Sequence, residues 1–169
     1  MSYTRGTSTI TTNGLIYHLD ISNPLCYHAN QSKCYSLVGQ TIGEVKNNVS
    51  YFNEGKGCLN FNGVNTYITI PNSFTFTTEQ TLEVWVKLED GGPIYQRIID
   101  KSNGNNGLNG YALIYHPTLN MLYYIVNDGT NKDMVACKVP SNKWVNIIAI
   151  KNNTEYKLYI NGILSQQNT

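Results

Sequence analysis

Hydrophobic and polar residues alternate along most of the chain, and this pattern predicts β-strands. The stretch Cys58–Ile70 begins with Leu59 and Phe61 separated by asparagines, and it ends in a run of β-favouring residues. Between the two halves, Asn62 and Gly63 provide residues that tolerate a positive φ angle. This stretch therefore predicts a β-hairpin.

The segment Thr81–Leu88, TLEVWVKL, alternates most regularly. Its apolar positions predict one buried face, whereas Glu83, Trp85 and Lys87 share the opposite face. Short segments of the same character recur along the chain, separated by Gly, Pro, Asn and Asp turn residues. Further strands are predicted at Gly14–Ile21, Cys34–Val38, Val49–Phe52, Ile94–Lys101, Tyr111–His116, Met121–Asn127, Met134–Lys138, Trp144–Lys151 and Tyr156–Ile160.

The regular spacing of these strands predicts an all-β fold, because no segment shows a helical period. Many short strands with turn residues between them are typical of an antiparallel sandwich or barrel. A length of 169 residues fits one domain, which we predict over residues 14–169. Residues 1–13 are rich in Ser and Thr and are predicted to form an extended N-terminal arm.

The charge of the chain argues against partners that are recognised by electrostatics. Charged residues make up 14% of the sequence, and the formal net charge is +1. Binding to nucleic acid or to an anionic membrane surface is therefore not expected. No segment has the roughly 20 apolar residues of a membrane-spanning helix, so membrane insertion is not expected either. The N-terminal residues lack the apolar stretch of a secretory signal, which predicts synthesis in the cytoplasm.

Four cysteines, Cys26, Cys34, Cys58 and Cys137, are interpreted as free thiols in such a chain. Two alternatives remain for Cys26 and Cys34: they form a disulfide, or they hold a zinc ion together with His28. The zinc alternative lacks the paired spacing of typical zinc sites. A metal at the acidic residues Asp100, Asp128 or Asp133 competes with a simpler interpretation, in which these residues cap local turns.

Taken together, these segments resemble the concanavalin A-like lectin/glucanase superfamily, and within it the laminin-G-like jelly-roll modules found in phage and bacterial proteins. The resemblance covers about residues 13–164 and implies a two-sheet antiparallel jelly-roll sandwich. Because this scaffold carries many activities, the resemblance implies the fold more strongly than the function. The residues that carry it are Gly14–Asp20, Asn23-Pro24, Leu59–Ile68, Thr81–Val86, Trp144 and Tyr156–Gly162.

The chain departs from the family pattern at three places. Asn62 and Asn65 stand where the family hairpin carries carboxylates, which weakens any calcium site, so no cofactor is expected. Family enzymes have paired carboxylates on a catalytic strand, whereas Glu83 stands alone. The sequence stops a few residues after Asn161-Gly162, so the resemblance implies that closing strands are lacking or that a partner supplies one.

No catalytic constellation is found in the sequence. Glycoside hydrolysis needs two carboxylates, and Glu83 has no partner two residues away on its strand. His18, His28 and His116 are isolated, and no serine lies in a Gly-x-Ser-x-Gly motif. We therefore expect the protein not to be an enzyme.

Carbohydrate binding fits the residue types better than catalysis does. Sugars are recognised by flat aromatic rings together with amides and carboxylates that bond to hydroxyl groups. The competing interpretation is that the tyrosines are cross-strand packing partners. The candidate carbohydrate-binding residues lie on strands predicted to form one sheet face and its rim, although alternation cannot place all of them together: Trp85, Tyr111, Tyr115, Tyr123, Tyr124 and Asn127.

Two classes of function follow. The first is a non-catalytic structural or adhesion module of a virus particle, such as a phage tail-fibre, whisker or capsid-decoration domain. Its expected partners are capsid or fibre subunits and host-surface glycan, within an oligomeric assembly that would be trimeric in a fibre. The frequent Asn, Ile, Lys and Tyr, all with AT-rich codons, favour this class. The alternative is a secreted lectin or glucanase-like enzyme domain.

Overall fold

A computed structural model describes residues 12–71, 74, 78–102, 110–127 and 130–168. Most of the predicted N-terminal arm lies outside these residues. The chain divides into two compact units, residues 1–73 and 74–169, and the single domain over residues 14–169 stays a prediction. The strands are β1 (Lys33–Tyr35), β2 (Ile42–Lys46), β3 (Ser50–Phe52), β4 (Cys58–Asn60), β5 (Tyr67–Thr69), β6 (Glu79–Lys87), β7 (Gln96–Lys101), β8 (Gly110–His116), β9 (Met121–Asn127), β10 (Lys132–Lys138), β11 (Trp144–Asn152), β12 (Glu155–Ile160) and β13 (Ile163–Asn168).

The second unit contains two four-stranded antiparallel sheets, with strand orders β10-β9-β8-β7 and β13-β12-β11-β6. Both sheets contribute to one core, because alternate residues of each strand point to the same side. The predicted all-β antiparallel jelly-roll sandwich is thereby confirmed. The largest fully buried side chains of this core are Leu113, Tyr115, Leu122, Tyr124, Val145, Ile147 and Leu158.

Tyrosine hydroxyls within this core bond to polar groups from neighbouring strands. The Gln80 amide donates to the Tyr124 hydroxyl at 2.6 Å, and the Tyr156 hydroxyl donates to the Asp133 carboxylate at 2.8 Å. The two rings pack with their centroids 6.4 Å apart. These bonds satisfy the polar ends of two large aromatic side chains, whose burial would otherwise leave a costly unpaired group.

The first unit contains a three-stranded sheet, ordered β1-β2-β5, and the two-stranded pair of β3 with β4. A small core forms around the buried Tyr27, Cys34, Val45 and Val49. Strand β2 was not predicted from the sequence. Of its five residues, IGEVK, only Gly43 and Val45 are buried. Because glycine has no apolar side chain, the sequence does not show an alternation of hydrophobic and polar residues here.

The predicted hairpin over Cys58–Ile70 is wrong. Strand β4 pairs with β3, and β5 pairs with β2, so its two halves belong to different sheets. The Asn62 side chain explains the loop between them, because its Oδ1 accepts hydrogen bonds from the backbone N–H groups of Val64, Asn65 and Thr66. A loop whose backbone N–H groups bond to an asparagine side chain differs from the two-residue turn that connects the strands of a β-hairpin.

The predicted strand at Gly14–Ile21 is also wrong. All eight residues of this segment are described, and none of them lies in a strand. The N–H of His18 donates to the Ser36 hydroxyl at 3.1 Å instead of to a backbone carbonyl, whereas its C=O accepts from the N–H of Leu37 at 2.8 Å. The Ser36 hydroxyl thus takes the place of a backbone carbonyl as the acceptor for the His18 N–H. An antiparallel strand pair continues only where both the N–H and the C=O of a residue bond to the backbone of the other strand.

Burial in the sandwich core predicts a loss of stability at alkaline pH. Burial raises the pKa of Cys137 from an ordinary 9.0 to about 11 and that of Tyr124 from 10.0 to about 12. Below pH 9 both groups keep their protons in the folded and unfolded chains. As the pH rises further, the unfolded chain loses protons that the folded chain retains, so the free energy of unfolding falls between about pH 9 and 12. Urea denaturation at pH 8, 9, 10 and 11 measures this decline.

The control for the alkaline decline is Cys137→Ala. This variant loses one buried thiol with an ordinary pKa of 9.0, while the buried Cys26 and Cys34 remain, so we expect its decline between about pH 9 and 11 to be shallower than that of the wild type. An identical decline in both proteins would contradict the assignment to Cys137.

Candidate functional site

The outward side of the sheet β13-β12-β11-β6 forms an open surface around Trp85. Along β6, Leu82, Val84 and Val86 pack against the core, so the alternate residues point outward. Trp85 is 64% exposed, which is unusual for the largest apolar side chain. We call this surface the Trp85 face, and alternation along the strands assigns to it Glu83, Trp85, Lys87, Trp144, Asn146, Ile148, Tyr159 and Leu164.

Strand register places these side chains in two adjacent rows. Trp85 lies directly opposite Asn146 of β11. The neighbouring row runs across all four strands, from Glu83 to Ile148, Tyr159 and Leu164. Directly opposite side chains in a sheet are close enough to interact, so the row forms a continuous strip beside Trp85 that is acidic at one end and apolar along the rest.

Asn146 holds the polar part of the Trp85 face in place. Its side chain is only 8% exposed, and its Nδ2 donates to Glu83 Oε1 at 2.9 Å. The backbone N–H of Asn146 donates to Asn161 Oδ1 at 3.0 Å, and the N–H of Asn161 donates back to the Asn146 carbonyl at 2.9 Å. The bonds to Asn161 fix the backbone of Asn146, and its side-chain amide holds the Glu83 carboxylate on the surface beside Trp85.

This arrangement is suited to binding a flat, partly polar molecule on an open surface. The Trp85 ring offers an apolar plane, and the neighbouring Glu83 carboxylate offers acceptors for hydroxyl groups. An aromatic ring held next to oriented polar groups matches the alternating C–H and O–H surfaces of a sugar. Because this surface is open, it would contact such a molecule on one side only.

The structure separates the six residues predicted to bind carbohydrate. Trp85 is exposed on the Trp85 face, whereas Tyr111, Tyr115 and Tyr124 lie in the core between the sheets. Tyr123 packs on the opposite side of its own sheet, against Ala112, Ile114 and Ile125, and Asn127 is 6% exposed. The expectation that the strands carrying these residues form one sheet face is wrong, because β6 belongs to one sheet and β8 and β9 belong to the other.

The reason lies in strand β8, where six of the seven residues are buried. Alternation reveals a strand's two faces only when one of them is polar. In GYALIYH both faces are apolar, so the pattern does not show that Tyr111 and Tyr115 point into the core. Sugar binding by any of the six residues stays a prediction.

Sequence reasoning missed Asn146, the residue that joins Glu83 to the neighbouring hairpin. A signal was present: asparagine is disfavoured inside a strand, and here it stands between Val145 and Ile147. A buried amide at such a position needs specific hydrogen-bond partners.

The thiols and carboxylates considered as metal ligands have other contacts. Cys26 Sγ donates to the Tyr35 carbonyl at 2.7 Å and accepts from the Asp20 N–H at 3.1 Å. Burial raises the pKa values of Cys26 and Cys34, which are both free thiols, while His28 is exposed. Over the described ranges, no group of three or more His, Cys, Asp or Glu side chains could hold a metal ion.

The acidic residues of the second unit are held by local partners. Asp100 forms an ion pair with Arg97 and accepts from the Ser102 hydroxyl at 2.6 Å. Asp133 accepts from Tyr156, as described above, and Asp128 lies outside the described residues. For Asp100 and Asp133, these contacts account for the side chains without a cation.

Comparison with known proteins gives one result. A laminin-G-like family model of the concanavalin A-like lectin/glucanases superfamily matches residues 62–169, and this range includes the whole Trp85 face. A search of curated proteins found no similar sequence. In the part of the chain that the structure describes, no helix has the length and apolar character to cross a membrane.

Proposed function

Because the chain belongs to the concanavalin A-like lectin/glucanase superfamily, we propose that it is a non-catalytic attachment module that binds carbohydrate through the Trp85 face. One observation carries the proposal: Trp85 is 64% exposed next to a carboxylate held by a buried amide. An exposed tryptophan beside oriented polar groups is typical of binding surfaces, where aromatic anchors contribute most of the affinity.

The row of residues beside Trp85 supports binding over hydrolysis. Cleavage of a glycosidic bond uses two carboxylates on either side of the bond. The residues across the sheet from Glu83 are Ile148, Tyr159 and Leu164, and none of them is acidic. The Glu83 carboxylate also accepts a hydrogen bond from Asn146, which suits a fixed acceptor for sugar hydroxyls.

We further propose that the module works on a virus particle, beside capsid or fibre subunits, and attaches the particle to host-surface glycan. The support is the residue usage of the chain, which is rich in residues whose codons are AT-rich. The competing candidate is a lectin or glucanase-like domain of a secreted protein. Mass spectrometry of purified particles distinguishes the two, since only the first places the chain in a virion.

Replacing Trp85 by alanine tests the proposed binding. We expect the wild-type protein to bind a subset of glycans on an array and Trp85→Ala to bind them at least about tenfold more weakly, because a central aromatic anchor contributes about 2 kcal/mol or more. The fold should survive, since the side chain points away from the core.

The matched control is Tyr95→Ala. Tyr95 is 65% exposed, as Trp85 is, but it lies outside the Trp85 face, so glycan binding should persist in this variant. Equal binding by wild type and Trp85→Ala would contradict the proposal, and so would the absence of binding to any glycan. Polysaccharide hydrolysis that Glu83→Gln abolishes would favour the enzyme alternative.

A further inference from the structure

Strand β1 and the loop before it line an open cleft of about 370 Å³ in the first unit. A second hollow of about 180 Å³ adjoins it and extends over Glu44, Val45 and Lys46 of β2. The first hollow lies outside residues 62–169, the range that matches the family model. We call it the Lys33 cleft, and its lining residues are Asn30, Gln31, Ser32, Lys33 and Tyr35.

Backbone hydrogen bonds hold the wall of the Lys33 cleft in place. The backbone of Asn30 bonds to the hydroxyl of the buried Tyr27. The carbonyl of Ser32 accepts from the N–H of Val45 at 2.8 Å, so the loop is joined to β2 where β1 begins. A wall that is already fixed loses little conformational freedom when a ligand binds.

The side chains of the Lys33 cleft remain available for a ligand. Alternation along β1 buries Cys34 in the small core and directs Lys33 and Tyr35 to the outward side of the sheet. Tyr35 is 40% exposed. Within the described part of the chain, the five lining side chains form no hydrogen bond or ion pair with other residues.

Lys33 gives the cleft a positive charge that no neighbouring carboxylate balances fully. It lies opposite Glu44 in the strand register, but the Glu44 carboxylate forms its ion pair with Lys46 on the same strand. The hydrogen bond from Lys46 lowers the pKa of Glu44, so this carboxylate is charged at neutral pH and offsets one of the two lysines. The other positive charge is free to attract an anionic group.

We propose that the Lys33 cleft binds a saccharide that carries a carboxylate, such as a uronic acid. The Tyr35 ring offers an apolar plane for the C–H side of a sugar, and the ammonium group of Lys33 attracts the carboxylate. The amides of Asn30 and Gln31 and the hydroxyl of Ser32 supply donors and acceptors for sugar hydroxyls. Nucleic acid fits less well, because it is held by several basic residues together.

Strand register places a second exposed ring on the same side of the sheet. Tyr67 of β5, which is 51% exposed, lies opposite Lys46, whereas Tyr35 lies opposite Ile42. Ile42 and Lys46 are four residues apart on β2, so the Cα atoms of the two tyrosines lie about 13 Å apart along the strands and about 10 Å apart across them. A saccharide chain reaches both rings, whereas a single sugar does not.

Isothermal titration calorimetry with the full chain tests the site, using tetragalacturonate and its methyl-esterified form as probes. The ester keeps the sugar rings but loses the negative charges. At low salt, we expect the wild type to bind the acid about fivefold more tightly than the ester, because only the acid pairs with Lys33. Lys33→Met should bind both forms equally. Tyr35→Ala should bind both about tenfold more weakly, because it removes the aromatic plane.

Two controls separate this site from general charge effects and from the Trp85 face. Lys56→Met removes the same charge from an exposed lysine of the first unit outside the Lys33 cleft, so the preference for the acid should persist. Trp85→Ala should bind tetragalacturonate as the wild type does. Since the Lys33 cleft and the Trp85 face are tested by different variants, each proposal can fail without the other.

Four outcomes would overturn the Lys33 cleft as a site for acidic saccharides. They are no binding of either probe, equal binding of acid and ester by the wild type, a preference for the acid that survives in Lys33→Met, and loss of tetragalacturonate binding in Trp85→Ala. The last would assign the acidic saccharide to the Trp85 face.

Discussion

Gly110→Ala is expected to lower the free energy of unfolding by more than about 3 kcal/mol, at the upper end of overpacking effects. Gly110 begins β8 with a φ of 157°, and a Cβ built there would lie 1.7 Å from the carbonyl oxygen of Lys101. That atom belongs to the backbone of β7, so it cannot move aside as a flexible side chain would. Relief requires the end of the β7–β8 pair to separate, which urea denaturation followed by circular dichroism would detect.

The control for this prediction is Gly91→Ala. Gly91 also has a positive φ, 91°, but a Cβ there meets no atom within 4 Å. This variant bears only the conformational cost of the left-handed region, about 1–2 kcal/mol. If both substitutions lower the free energy of unfolding by the same amount, the close approach of β7 to Gly110 does not constrain the fold.

Leu158→Ala is expected to lower the free energy of unfolding by about 2–5 kcal/mol, as for other large-to-small changes in a core. Leu158 is fully buried on β12, opposite Ala149 of β11. Because Ala149 is also small and fully buried, this directly opposite residue cannot fill the space left by the lost methyl groups. Chemical denaturation measures the cost.

Leu119→Ala provides the comparison for Leu158. Leu119 is 47% exposed in a short 3-10 turn between β8 and β9, so its truncation should change stability by less than about 0.5 kcal/mol. A cost for Leu158→Ala below about 1 kcal/mol would mean that the core around β12 collapses to fill the cavity.

Strand β6 of the second unit was predictable, together with its two faces, because its alternation has a polar side. In β6, the outward Glu83, Trp85 and Lys87 mark the surface while valines and leucines mark the core, and the structure confirms this division. Strand β13 had no such contrast, since its polar sequence is exposed throughout. Its existence depends on pairing with β12, which no local pattern reveals.

The candidate site was predictable only in part. Trp85 was identified from the sequence as a surface aromatic of β6, and it is the one predicted residue that lies on the Trp85 face. The tyrosines of β8 and β9 have the same residue type but lie in the core, because their strands are apolar on both sides. Residue type suggested the chemistry but could not determine exposure.

The all-β class and most strand positions follow from local patterns, since side-chain alternation and turn residues act over a few neighbouring residues. The pairing of the strands depends on the whole fold: β4 and β5, adjacent in the chain, join different sheets. The fold also brings Asn146 to Glu83, 63 residues away, and places β13 at the end of its sheet. The physical reason is that backbone hydrogen bonds are alike at every residue, so the choice of partner depends on burial across the whole fold.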